Sequence, residues 1–262
     1  PERLSAYTDG HWHADSAACS PWLRFTGVGT YNTYGSGHVY FGLELAAWEQ
    51  EGKDVRAALG RIVSKGVRAL VLDRIEYAGG WNVPVCLVED AFAAFKTCAI
   101  QVRQQLDPLT VLVTGTEGKT GAKVQLHHLL NFQTRAHGVI NSANTEIPVL
   151  RSLAGLRVDD VVEINEVSVG ADEDYRVERA VMVNPNLCLF THIGPNHMDM
   201  HKTMDNLLWA KSSVVAGLRD GGLCIVDTDN AHCEALKQAI WKRRPGATII
   251  GSMVFGFSRK CA

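Results

Sequence analysis

The sequence predicts an α/β protein in two parts. A small N-terminal α/β domain comes first, then a phosphate-loop NTPase-type domain whose mostly parallel sheet is covered by helices on both faces. Three observations carry this. From Gly37 onward, short apolar runs alternate with amphipathic stretches of helical period. Asp107-Pro108 breaks the alternation with a turn signal and separates residues 1–107 from 108–262. Directly beyond it, an apolar strand enters a glycine-containing loop and then a helix.

The elements follow in order. Residues 1–36 are rich in Gly, Ser, Thr, Tyr and Trp and carry little periodicity. His11 and His13 flank Trp12 with Asp9 and Asp15 nearby; with no helix or strand pattern to fix them, solvated surface histidines are a better reading than a metal site. Gly37 to Leu43 reads as a strand, and Val55 to Lys65 as a helix with Val55, Ala58, Leu59 and Ile62 on one face. Val67 to Leu72 and Val83 to Val88 read as strands. Glu89 to Leu106 reads as a helix entered through acidic residues, which suit a helix N-terminus.

In the second part the spacing predicts strands at Thr110–Thr114, Gly138–Ser142, Val161–Val167, Leu187–Ile193, Leu223–Val226 and Thr248–Phe255. Helices are predicted at Lys119–Asn131, Met204–Leu218 and Ala231–Arg243. Strands alternating with helices indicate parallel pairing, and such sheets bind ligands beyond the carboxyl ends of their strands.

Composition narrows the function classes. The 262 residues are 46% hydrophobic and 21% charged, as in a globular protein, and a net charge of −2 exerts no general pull toward nucleic acid or anionic membrane. No run is long and apolar enough to span a bilayer. The start lacks the apolar core of a secretory signal. The 7 cysteines are widely spaced and never form a C-x-x-C pair, so reduced thiols in a cytoplasmic protein are expected rather than a disulfide framework or zinc knuckle.

The chemistry concentrates in Gly115-Thr116-Glu117-Gly118-Lys119-Thr120. Glycines let backbone N–H groups turn toward an anion, and a helix N-terminus adds partial positive charge. Lys119 can reach terminal phosphates, and the Thr120 hydroxyl can ligate Mg²⁺. Val113 occupies the first glycine position of the full phosphate-loop pattern. Further on, Glu166 stands at the carboxyl end of an apolar strand, where a metal ligand belongs, whereas Glu163 reads as a solvated strand edge. Leu208, Lys211, Val215 and Leu218 recur at helical spacing, so Lys211 points where apolar side chains point. Such a lysine snorkels, pairs or changes its charge.

The loop T-G-T-E-G-K-T resembles that of the Mur ligase family, whose members join an amino acid or peptide to a carboxylate during peptidoglycan precursor synthesis; folylpolyglutamate and cyanophycin synthetases share the central domain. Glu117 stands where that family usually has Asn. Glu166-Val167-Ser168 matches the E-[VL]-S segment, whose glutamate binds Mg²⁺. F-T-H-I-G-P-N-H-M-D-M-H resembles the family element whose first histidine, here His197, ligates a second Mg²⁺; Asn196 replaces the usual Asp, and His192 the usual Asn. The resemblance implies that Lys211 is carbamoylated and holds that second ion. It also implies that Asp227, Asp229 and Asn230 approach the adenosine.

Taken together it implies ATP and Mg²⁺, an acyl-phosphate intermediate, a small-molecule carboxylate, and an amino acid or peptide as the amine. Residues 142–150 are most similar to the ligases that add the terminal dipeptide. The stretch T-Y-N-T-Y-G-S-G-H-V-Y-F-G lacks the arginine of the UDP-sugar segment, so a non-UDP or divergent carboxylate is expected. The family's C-terminal, amine-bringing domain is expected to lie outside this chain or on a partner. The alternative to a ligase is a non-catalytic ATP-binding regulatory module.

Overall fold

The computed structural model describes residues 2–138, 145–168, 173–196 and 198–252. It divides into two compact units: Pro1–Asp107 with Leu150–Val158, and Pro108–Val149 with Asp159–Ala262. The segment Leu150–Val158 thus groups with the first unit, a return that a single division at 107/108 omits.

The first unit holds α1 (Glu2–Thr8), β1 (His11–Trp12), β2 (Gly27–Gly29), β3 (His38–Phe41), α2 (Leu45–Gln50), α3 (Val55–Ser64), β4 (Ala69–Leu72), β5 (Val85–Leu87) and α4 (Ala91–Leu106). Its strands lie in the order β1-β5-β4-β3-β2, parallel except for β1. Strand period two sorts the core: Tyr40 joins Leu59, Ile62 and Leu70, while its neighbour Phe41 meets Phe95 of α4 with ring centroids 5.5 Å apart. Helix α4 starts later than its acidic entry suggests because Asp90 is the cap itself, accepting from the N–H groups of Phe92 and Ala93. It ends where Asp107 turns left-handed at φ 45° ahead of Pro108.

The second unit holds β6 (Leu109–Thr114), α5 (Lys119–Leu130), β7 (Ala136–His137), β8 (Val162–Glu166), α7 (Glu173–Val183), β9 (Leu187–Phe190), α8 (Met198–His201), α9 (Met204–Ser212), β10 (Leu223–Asp227), α10 (Cys233–Arg243) and β11 (Thr248–Ser252); α6 (Glu146–Ala154) begins in it. The sheet order is β11-β10-β9-β6-β8-β7, parallel throughout. On one face Leu112, Cys188, Phe190 and Val226 pack with Leu208, Val215, Leu236 and Ile240; on the other Val111, Val113 and Ile164 pack with Ala122 and Leu126 of α5. Leu112 is fully buried, so Leu112→Ala is expected to lower stability by about 2–5 kcal/mol. A chemical denaturation midpoint unchanged from wild type would contradict this packing.

Two readings need correction. Glu163 is not on a solvated edge: β8 lies between β6 and β7, and Glu163 is fully buried, accepting from Asn165 Nδ2 at 2.7 Å and Thr110 Oγ1 at 3.5 Å. The helix expected through Leu218 ends at Ser212 and tightens into a 3₁₀ turn over Ser213–Gly217. There the Ser212 and Ser213 hydroxyls donate to the carbonyls of Trp209 and Ala210, local bonds that compete with helix continuation. Helices α1, α2, α6, α7 and α8 lie beyond the sequence expectations. The strand expected at Gly138–Ser142 falls mostly on residues outside those described; the neighbouring β7 covers Ala136–His137. Among the described residues, no helix is long and apolar enough to cross a membrane.

Candidate functional site

The centre of the second sheet delivers the loop. Strand β6 is flanked by β8 and β9, and at its carboxyl end residues 115–118 turn the chain into α5. Two glycines make that turn possible. Gly115 has φ 147°, and a Cβ there would lie 2.0 Å from Thr191 Oγ1; Gly118, at φ 79°, caps α5 in the left-handed region. The segment after β9 braces the loop from beside. Thr191 Oγ1 lies within bonding distance of the carbonyls of Thr114 (3.1 Å) and Glu117 (2.6 Å). Thr116 Oγ1 donates to the His192 carbonyl at 3.0 Å and accepts from Gly194 N–H at 2.9 Å.

The amides of Thr116 and Glu117 also donate to the His192 carbonyl, at 3.0 and 3.4 Å. In this conformation, then, they face the bracing segment rather than an anion. The donors without an intrahelical acceptor are those of the first turn of α5, where the helix dipole is positive. Lys119, at its first position, folds back so that Nζ donates to the Thr116 carbonyl at 3.0 Å. The Glu117 side chain is exposed.

Two distant residues reach this loop. Thr120 Oγ1 donates to Glu166 Oε2 at 2.9 Å, from α5 to the end of β8. Lys211 is 6% exposed and its Nζ donates to the Gly115 carbonyl at 2.8 Å. It does not snorkel. Its inward direction follows from the helix's two sides: Asp205, Asn206 and Trp209 are exposed on one, and Lys211 lies on the other with buried Leu207, Leu208 and Ala210. His197, expected to join them, lies outside the described residues.

Asp227, Asp229 and Asn230 follow β10. Asp229 N–H donates to Asp227 Oδ1 at 3.0 Å, and Asp227 Oδ2 stands 3.9 Å from His192 Nδ1. Asn230 is largely committed: Nδ2 donates to the Ile193 carbonyl at 2.8 Å, and Oδ1 accepts from His232 N–H at 2.8 Å. It ties the turn after β10 to the segment bracing the loop.

Sequence reasoning missed Lys123. Its Nζ lies 3.0 Å from Glu166 Oε2, both side chains almost wholly buried. The available signal was its position four residues after Lys119, which puts both lysines on one helical face.

Thr120 and Glu166 offer hard oxygen donors side by side, the chemistry that suits Mg²⁺. Among the described residues, no group of three His, Cys, Asp and Glu side chains could hold a metal ion. The fit is therefore to a Mg²⁺ ion held by few protein ligands and completed by phosphate oxygens. As an ammonium, Lys211 is a donor only, and it could join such a site only after gaining a carboxylate.

The Mur ligase middle domain matches residues 113–252. A UDP-N-acetylmuramoyl-tripeptide–D-alanyl-D-alanine ligase of Haemophilus influenzae is 25% identical over 202 residues, covering 75% of this chain and 42% of that protein. The Bacillus subtilis protein of that name is 27% identical over 160 residues, covering 61% and 35%. The chain thus spans well under half of these relatives' length. Among solved structures, MurF from Acinetobacter baumannii superposes with a TM-score of 0.73 at 20% identity, covering 95% of this chain and 52% of that one. MurF from Thermotoga maritima in complex with ADP gives 0.64 at 15% identity, covering 89% and 51%. With its middle-domain match spanning more than half of its residues, this chain belongs to the Mur ligase family.

Proposed function

We propose that this chain carries the nucleotide-binding core of an ATP-dependent carboxylate–amine ligase. In this reading the second unit is the central ATP-binding domain and the first the substrate-binding domain. The supporting observation is convergence on one loop: buried Lys211 bonds to the Gly115 carbonyl, and Glu166 bonds to Thr120. A bare phosphate-binding turn has no need of either.

The substrate carboxylate attacks the γ-phosphorus of ATP, giving an acyl phosphate and ADP. An amine then attacks the acyl carbon and phosphate leaves. A weak nucleophile needs accurate placement and neutralised γ-oxygens. Lys119 swings from the Thr116 carbonyl to the terminal phosphates, and the first turn of α5 directs its N–H groups at them. Thr120 and Glu166 would hold one Mg²⁺, and His197 and carbamoylated Lys211 the other, to supply neutralisation of phosphate charge. Asp227, Asp229 and Asn230 line the approach to the adenosine. The incoming amine, an amino acid or peptide, is brought by sequence outside this chain.

The relatives' names specify a UDP-N-acetylmuramoyl-tripeptide. For this chain a divergent carboxylate fits better. Residues 30–42 contain no Lys or Arg to meet a pyrophosphate. In the first unit, Glu44 instead accepts from Tyr40 OH at 3.2 Å, and Arg151 is engaged with Thr30 Oγ1 at 2.7 Å. Burial raises the Glu44 carboxyl above the usual range.

Calorimetric titration of residues 1–262 with ADP and Mg²⁺ tests the core, and absence of binding overturns it. In the longer protein, ADP release dependent on both a carboxylate and an amine identifies a ligase. Binding without such release identifies a regulatory module, and a phosphorylated final product a kinase. Glu117 adds a negative charge beside the expected polyphosphate, so Glu117→Asn should tighten ADP binding by about tenfold. Unchanged affinity would place that side chain away from the phosphates.

A further inference from the structure

The Lys123–Glu166 pair has no part in the scheme above, yet it occupies the scheme's central carboxylate. Glu166 Oε2 is shared: Thr120 Oγ1 lies 2.9 Å away and Lys123 Nζ 3.0 Å away. Lys123 is 2% exposed and Glu166 also 2%. An ammonium this deep is retained only with a partner. The same holds for the carboxylate, and each compensates the other. The pairing also fixes direction, because a carboxylate oxygen gripped by both Thr120 and Lys123 is held against the first turns of α5.

A divalent ion arriving at that oxygen would meet a cation already beside it. In a site shielded from water that repulsion is strong. Polyphosphate changes the balance by bringing several negative charges to the first turn of α5, one helical turn from Lys123. We propose that Lys123 is a positioning residue that holds Glu166 charge-compensated and oriented until nucleotide arrives, so that divalent-ion binding at Thr120 and Glu166 is coupled to nucleotide binding. The inference rests on the proposed reading of Glu166 as an ion ligand. Linkage makes the coupling reciprocal: the ion strengthens nucleotide binding by the factor with which nucleotide strengthens ion binding.

The test is a titration of folded residues 1–262 with Mn²⁺, followed by electron paramagnetic resonance, with and without ADP and with ADP–Mn²⁺ alone as the reference. The wild-type protein should bind Mn²⁺ at least about tenfold more weakly without ADP than with it. Lys123→Met should strengthen nucleotide-free Mn²⁺ binding by about tenfold and shrink the effect of ADP, while Lys123→Arg should keep the wild-type behaviour. Glu166→Gln should weaken Mn²⁺ binding in the presence of ADP. If Glu166→Gln leaves that binding intact, the reading of Glu166 as a ligand fails, and the Lys123 inference with it. If Glu166→Gln weakens it but wild-type protein binds Mn²⁺ equally well with and without ADP, only the Lys123 inference fails. That last comparison needs no variant, so it decides the matter even if Lys123→Met does not fold. A folded Lys123→Met protein indistinguishable from wild type also overturns the inference.

Discussion

Lys211→Ala is expected to reduce turnover of the longer protein by about a thousandfold, and bicarbonate or a short carboxylate should restore part of it. The magnitude is that of deleting one preorganised group that stabilises developing charge. Two consequences of the substitution can be separated. The first is structural: the buried Gly115 carbonyl loses the bond it receives at 2.8 Å from Lys211. An unsatisfied buried acceptor costs about 1–3 kcal/mol, and a thermal melt reads that loss. The second is chemical, the loss of the amine on which a carbamate would form. Only the chemical loss answers to an added carboxylate. Labelled bicarbonate followed by carbon magnetic resonance should give a carbamate signal in the wild-type protein and none in the variant. Full turnover in Lys211→Ala would remove the carbamate from the mechanism.

Lys119→Ala should weaken ADP binding by about a hundredfold, as expected for losing a charged hydrogen bond to phosphate. The lysine now bonds to the carbonyl of Thr116, three residues earlier, at 3.0 Å. Its removal therefore strips no contact from the sheet, and the fold should be kept. Calorimetry with ADP on a variant of unchanged circular dichroism is the measurement. Wild-type affinity would show that the loop does not grip a terminal phosphate.

The sequence displayed β6, the loop and α5 because their residues have few alternative uses. Two glycines that must turn, followed by Lys-Thr at the head of a helix, describe one local geometry. The inward course of Lys211 was also legible, although through a spacing that the 3₁₀ turn later interrupts. What stayed hidden was set by strand order and by distant partners. Glu163 sits in a strand whose neighbours on both sides come from elsewhere in the chain, so alternation along β8 could not reveal that it is enclosed. Lys123 is one more lysine on a helix until Glu166, far along the sequence, arrives beside it. Helix α2 is six residues long, too short to display a period. The return of Leu150–Val158 to the first unit is a tertiary event with no local mark.

The bracing of the loop by Thr191, Thr116 and Asn230 has a consequence for how quickly a ligand is captured. Its hydroxyls and amide are already satisfied by neighbouring backbone, so the turn is held in shape before anything docks. Little chain entropy remains to be lost on capture. An incoming polyphosphate meets a braced rim, across which Lys119 swings from the Thr116 carbonyl. Association should therefore run at the speed of encounter, leaving differences between ligands to be expressed in how long each one stays.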